Sequence, residues 1–350
     1  MLRSNLVAAL DRIAPGLSTN DLIPVLSHVW ITGTHLMSYN DCIAISVPFK
    51  SDFIGAVPGK IMIDLVKNSL AKECEFVPEK DQLLIKAASS RFKLASLPRD
   101  AFKIFTMPKM SDDALAFPAE FFDAVSTCLQ STGSDPSLPE QLGVTLIPDG
   151  ETLFLFSTNN RTITREQIKI KKAIKLKDGR VTIPTDFCKE MVSIAKDEPV
   201  KLEVHDDHVL LSSKSGASLF GRLVEVDKPL DFHAVVEKHM PIKARTMAVE
   251  IPSKLAGMIE RAVIITEAAA EQTWTAITVA DHRMKFFSKS SRGTVTDEVL
   301  IGATQPEIEL AVDCKNIKIG YGHYDRMLAS TGCFVMMKGT SLYLVGAVSK

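Results

Sequence analysis

One helical pattern returns along this chain, and it limits the fold more than any other feature. In Pro58 to Lys72 (PGKIMIDLVKNSLAK), apolar residues stand three, four, seven and eight places after the proline: Ile61, Met62, Leu65 and Val66. That spacing predicts a helix with one buried face. Lys60 and Lys67, two and nine places along, share a different, exposed face. The same ruler laid from Pro118 finds Phe121, Phe122 and Val125. From Pro184 it finds Phe187, Cys188, Met191 and Val192, and from Pro252 it finds Leu255, Ala256 and Ile259. A start at Arg3 gives Leu6, Val7 and Leu10. A start at Asp313 gives a poorer copy, with Ile317 and Tyr321 but Asn316 and Gly320 in apolar slots. Six helices at intervals of roughly 60 residues predict six copies of one unit.

Between the helices the period falls from 3.6 to 2, as half-buried strands require. Leu26–Thr32, Cys42–Pro48, Leu83–Ala87, Val144–Ile147, Val200–Val204, Trp274–Val279 and Leu342–Val345 are examples. Each unit therefore reads as one helix followed by three or four antiparallel strands, an α+β arrangement. One such unit is marginal alone, whereas two packed together make a domain of about 115 residues. Polar, proline-bearing connectors near 107–113 and 238–245 place the joints. Three similar domains are expected, at 1–112, 113–242 and 243–350.

Net charge is -1 and 46% of residues are hydrophobic, which is ordinary globular composition and excludes coating of nucleic acid by bulk charge. No long uncharged apolar run exists, and no secretory leader opens the sequence, so neither a membrane span nor export is expected. The six cysteines lack paired spacing, which predicts free thiols in a reducing compartment such as the cytoplasm.

Charge instead recurs by position. Arg12, Lys67 and Arg261 occupy the plus-nine slot, and Lys60, Lys254 and Lys315 the plus-two slot. The fourth helix, shifted by one turn, offers Lys189 and Lys196. The third breaks the pattern with Glu120 and Thr127. A basic face repeated on several helices suits the phosphate backbone of double-stranded DNA, contacted without base readout. A second basic stretch, Lys169 to Arg180, alternates with isoleucine and leucine and reads as a strand with a solvated face.

Catalytic patterns fail individually. Ser69-Leu-Ala-Lys72 and Ser193-Ile-Ala-Lys196 match SxxK, but Ser38-Tyr39-Asn40 precedes both, the wrong order for a penicillin-binding site. His205 and His208 flank a turn with no third ligand in register. Gly320-Tyr-Gly322 lacks the third glycine of a phosphate loop. No enzyme, metal site or cofactor is expected.

At this point particular residues carry a family resemblance. Asp21-Leu-Ile-Pro-Val-Leu-Ser-His-Val-Trp, Ser38-Tyr-Asn-Asp41, Val57-Pro-Gly-Lys-Ile and Ser90-Arg-Phe-Lys-Leu-Ala-Ser-Leu-Pro resemble the first domain of the bacterial DNA sliding clamp, the DNA polymerase III beta subunit. Phe156-Ser-Thr-Asn-Asn-Arg161 and Phe287-Ser-Lys-Ser-Ser-Arg-Gly extend the likeness to the second and third domains. The resemblance implies three tandem clamp domains per chain and a head-to-tail homodimer whose ring encircles duplex DNA. It implies a non-enzymatic processivity factor serving a DNA polymerase and a clamp loader.

The resemblance also implies two surfaces. A partner-peptide groove falls on Thr158, Arg161, Thr162, Ile163, Pro241, Val335, Met337, Leu344, Val345, Gly346, Ala347 and Val348. A dimer seam sets Arg91, Phe92 and Lys93 against Ile264, Ile265, Asp297 and Glu298. The sequence ends Leu-Val-Gly-Ala-Val-Ser-Lys where the family usually has a Met-Pro-Met-Arg-Leu type tail. This tail and the abbreviated sixth helix point to a phage-type member. The competing reading is an open β-rich module that binds single-stranded DNA or protein without encircling it. Aromatics at 7%, none recurring on strands, speak against a base-stacking platform.

Overall fold

The computed structural model describes every residue except 21, 112–113, 171–173, 175, 177, 268–273, 303–306, 331 and 349–350. Asp21 of the resemblance motif, much of the basic stretch 169–180 and the joint at 112–113 therefore lie outside the described residues. The chain packs into two compact units, one from 1–122 with 183–223 and the other from 123–182 with 224–350.

The first unit opens with α1 (Arg3–Ile13), β1 (His28–Ile31), β2 (His35–Tyr39), β3 (Ile43–Pro48) and β4 (Gly55–Pro58). Then come α2 (Gly59–Lys67), β5 (Glu75–Glu79), β6 (Gln82–Ala87) and β7 (Ser90–Ala95). Helix α3 (Ala119–Cys128) carries the chain into the second unit, followed by β8 (Gly143–Asp149), β9 (Thr152–Thr158), β10 (Thr162–Lys169) and β11 (Val181–Pro184). The first unit resumes with α4 (Thr185–Asp197), β12 (Val200–Val204), β13 (His208–Ser213) and β14 (Ser218–Arg222).

The rest belongs to the second unit. It holds α5 (Phe232–His239), α6 (Ile242–Arg245), β15 (Val249–Glu250) and α7 (Leu255–Glu267). Strands β16 (Thr275–Ala280), β17 (Arg283–Ser290), β18 (Gly293–Leu300) and β19 (Ile308–Val312) follow. Helix α8 (Cys314–Gly320) precedes β20 (Arg326–Ser330), β21 (Cys333–Lys338) and β22 (Ser341–Gly346).

The sheets join strands that are far apart in sequence. In the first unit β14 pairs antiparallel with β3, Leu219 opposite Ile45, within a seven-stranded sheet ordered β12-β13-β14-β3-β2-β1-β4. In the second, β10 pairs with β22, Ile163 opposite Leu344, within an eight-stranded sheet ordered β11-β8-β9-β10-β22-β21-β20-β15. Two smaller sheets, β5-β6-β7 and β18-β17-β16-β19, have β5, β7, β18 and β19 as edge strands.

All six ruler positions are helical, and proline or aspartate precedes every start but that of α1, where Leu2 stands at the cap. Pro58 and Pro184 stand at the caps of α2 and α4, and the Asp313 carboxylate accepts the Lys315 backbone N–H at 3.0 Å. The buried face of α4 is the expected one: Phe187, Cys188, Met191 and Val192. In α2 the face is rotated by one residue. Gly59, Met62, Ile63 and Val66 are buried, while Ile61 is 53% exposed. The cause lies at the helix entry. A Cβ on Gly59 would sit 2.6 Å from Leu17 Cδ1 and 2.9 Å from the Ser27 carbonyl oxygen, so the glycine goes down first and sets the stripe. The abbreviated α8 has a similar explanation: a Cβ on Gly320 would meet the Tyr343 ring at 2.6 Å. Five cysteines are buried and free, and Cys42 is free and exposed. Among the described residues no helix is long and apolar enough to cross a membrane.

Candidate functional site

The groove residues centre on the hairpin between β9 and β10. Asn160 takes φ +70° at its tip, and the Asn159 side-chain oxygen accepts the backbone N–H groups of Arg161 and Thr162 at 3.0 and 2.8 Å. Thr158 Oγ1 donates to the Thr162 carbonyl at 2.9 Å. The Gly346 N–H donates to the Arg161 carbonyl at 2.7 Å, bringing the end of β22 against this tip. A Cβ at 346 would lie 3.3 Å from that carbonyl, so the glycine permits a close backbone approach.

Against this hairpin lies a pocket of about 410 Å³ lined by Thr158, Arg161, Thr162, Ile163, Leu344 and Gly346. Its opposite wall comes from residues the sequence reading missed: Leu138, Gln141, Leu230, and Val235 and His239 of α5. Asp231 caps α5 by accepting the Ala234 N–H at 3.0 Å, a start signal visible in the sequence just before the connector at 238–245. The remaining expected groove residues do not line this pocket. Val335 and Met337, at 0% and 4% exposure, pack in the core cluster beneath α5 that also holds Phe156, Phe232 and Leu344. Val345 faces the other core, because side chains alternate along β22. Pro241 caps the short α6, beyond the pocket. Ala347 and Val348 are held by backbone bonds from their N–H groups to the carbonyls of Gly332 and Ala311, both at 2.8 Å.

A second cavity in the same unit, about 370 Å³, is lined on one side by Phe154, Ile242, Met337 and Leu342, and on the other by Arg165, Arg245 and Arg326. Burial pushes the Arg165 guanidinium down to about 10, with the neighbouring Arg245 charge acting in the same direction. His233, stacked edge-on to Phe154 and Phe156, is also pushed down by burial.

The eight helix cations are all at the surface, but they differ in company. Arg12 pairs with Asp197 at 3.0 Å, Lys67 with Asp11, and Arg261 with Asp297 through two bonds of 2.9 and 2.8 Å. Lys189 meets Asp186 at 3.3 Å and Lys315 meets Glu267 at 3.6 Å. Among the described residues Lys60, Lys196 and Lys254 have no ion-pair partner.

The seam residues fall on or beside two of the edge strands, β7 and β18. On β7, Arg91 and Lys93 are exposed and Phe92 is half-buried. On β18, Asp297 is held by Arg261 and Glu298 by Arg283. Ile264, at 64% exposure, presents its side chain outward from α7, with Ile265 half-buried beside it. Lys93 already has Glu79 at 3.0 Å across the sheet. Each expected seam charge except Arg91 therefore has a partner within its own chain.

Comparison with known proteins supplies the remaining finding. No family model matches the chain. A beta sliding clamp homolog from Streptomyces muensis, GriR, is 24% identical over 279 residues, covering 76% of this chain and 72% of that protein. The DNA polymerase III beta subunit of Thermotoga maritima superposes with a TM-score of 0.83 at 17% identity, over 100% of this chain and 98% of that one. The DNA polymerase sliding clamp of Bacillus subtilis gives 0.83 at 15% identity, with the same coverage. The chain has the mixed helix-and-sheet fold of the beta clamps, and the resemblance read from its sequence is supported independently by its fold.

Proposed function

We propose that this chain, which has the fold of the bacterial sliding clamps, is a non-enzymatic processivity factor that encircles duplex DNA and tethers a DNA polymerase. The carrying observation is coverage: the likeness runs over 100% of the chain, leaving no segment unaccounted for by that fold. Three tandem domains, at 1–112, 113–242 and 243–350, close as a head-to-tail dimer in this reading. The recurrence of one helix pattern six times supports that count. Continuous sheets such as β14-β3 and β10-β22 would then bind successive domains to each other.

The seam reading is supported by the two open edges. An unpaired strand edge carries free N–H and C=O groups that accept a strand from another chain. β7 brings Arg91 and Lys93, while β18 brings Asp297 and Glu298, with the apolar Ile264 and Ile265 alongside. Rim charges of this kind set register and partner choice more than affinity. The pocket beside the β9–β10 hairpin is of a size and composition to hold apolar anchors of short peptides from a polymerase or clamp loader. Replication places this work in the cytoplasm.

Topology tests the reading directly. Clamp loaded on a nicked circle is expected to be lost when the circle is cut to a linear form. Equal retention on both forms would sink enclosure and favour the open DNA-binding module. Ile264→Lys combined with Ile265→Lys is expected to convert the dimer to a monomer by light scattering. A double variant that stays dimeric at low micromolar concentration would move the seam elsewhere.

A further inference from the structure

The cavity bounded by Arg165, Arg245 and Arg326 has no role in the clamp reading. Its placement follows from the fold: Arg165 sits on the central strand β10, Arg245 on α6 and Arg326 on the outer strand β20. Three guanidiniums meeting at one cavity repel one another, and folding brings them together only at an electrostatic cost. Arg165 is the most deeply buried of the three. Its residue exposure is 8%, and its Nε is buried without any hydrogen-bond partner.

The donor inventory makes the imbalance explicit. A guanidinium presents five N–H donors and no acceptor. Arg165 spends one nitrogen, Nη2, on the Thr340 carbonyl at 2.7 Å. Arg245 donates to the Met240 carbonyl at 3.2 Å and to Glu237 at 3.4 Å, and Arg326 donates to the Ala248 carbonyl. The neighbouring Glu166 carboxylate does not line the cavity and accepts the Ser341 hydroxyl instead. Among the described residues Glu237 is the one carboxylate lining the cavity. With three guanidiniums, one carboxylate and a His233 held towards its neutral form by burial, the lining carries an excess of two positive charges.

A dianion fits that excess, and a phosphate group offers acceptors for fork-shaped guanidinium donors. Volume adds a further constraint. At about 370 Å³ the cavity exceeds what a bare oxyanion fills and falls in the range of small-molecule sites. Its remaining wall is apolar, from Phe154, Ile242 and Leu342. We propose that this cavity binds a phosphate monoester, its oxyanion held by Arg165, Arg245 and Arg326 and its organic part set against Phe154, Ile242 and Leu342. The site lies within one compact unit and stands independently of ring closure.

The test uses the full chain with inorganic phosphate and phenyl phosphate as probes, against sodium chloride at matched ionic strength. Calorimetric titration is expected to show saturable binding of both, with phenyl phosphate tighter by roughly tenfold through its apolar contact. Arg165→Gln and Arg245→Gln are each expected to weaken phenyl phosphate by roughly tenfold or more, with circular dichroism unchanged. Arg326→Gln, at the exposed rim, supplies the same test should Arg165→Gln fail to fold. Heat or thermal shifts equalled by sodium chloride would overturn the site, as would affinity indifferent to Arg245→Gln and Arg326→Gln. Equal affinity for the two probes would overturn the monoester assignment.

Discussion

The plus-two and plus-nine cations occupy one repeated helix face, yet the structure treats them differently. All three plus-nine residues, Arg12, Lys67 and Arg261, are tied to a carboxylate. Of the plus-two residues, Lys60 and Lys254 stand free, and Lys315 reaches Glu267 at 3.6 Å. The difference follows from position along the helix. Plus nine falls in the last turn of α1 and α2 and in the middle of α7, where a neighbouring element comes close: α1 packs on α2, bringing Asp11 to Lys67, and β18 lies against α7, bringing Asp297 to Arg261. Plus two falls at or just before the first turn, where these acids do not reach. Matched spacing therefore identifies a shared face but not which charges on it are available to a phosphate.

Replacing the free set separates the two groups most sharply. Lys60→Gln, Lys196→Gln and Lys254→Gln together are expected to lower the slope of log affinity against log salt by about three, one per lost phosphate contact. Fluorescence anisotropy on duplex DNA across a salt series measures it, and an unchanged slope would show that the free lysines do not meet the backbone. The tied set, Arg12→Gln, Lys67→Gln and Arg261→Gln, is expected to lower the slope by about one in the same assay. A drop as large as that of the free set would mean that the ion pairs open on DNA. The smallest change should come from freeing the tied cations. Asp11→Asn, Asp197→Asn and Asp297→Asn together are expected to tighten DNA binding about two- to fivefold at low salt, and weaker binding would reverse the argument.

The same contrast between spacing and surroundings decides how much was legible in the sequence. The helix starts other than that of α1 were, because proline and aspartate act locally and the apolar stripe of α4 meets an ordinary sheet face. The face of α2 was not, because the tight seat of Gly59 under Leu17 is a tertiary fact. Strand β10 was hidden by its composition. TITREQIK, not among the strands expected, has few apolar residues, but Thr162, Thr164, Arg165 and Glu166 are buried and engage Ser131, Thr340 and Ser341 through side-chain hydrogen bonds. Of the pocket by the hairpin, the β9–β10 side was legible through its motif. The α5 side was not, since Leu230 and Val235 lie just before the connector at 238–245, in a stretch given no helix. Val335 and Met337 have the apolar character of a peptide site but serve as core, a distinction that depends on what lies above them.

The open edges of β7 and β18 carry a kinetic meaning for the proposed ring. Two unlike edges that mate form a heterologous contact, which closes into a ring when the rotation returns on itself. A two-chain ring has two such seams, so releasing one leaves the halves tethered by the other. Reclosing is then an intramolecular event, with an effective concentration on the order of millimolar. Escape from a circular DNA would be governed by the lifetime of a single gap, and tightening or loosening the grip on the phosphates would hardly change it.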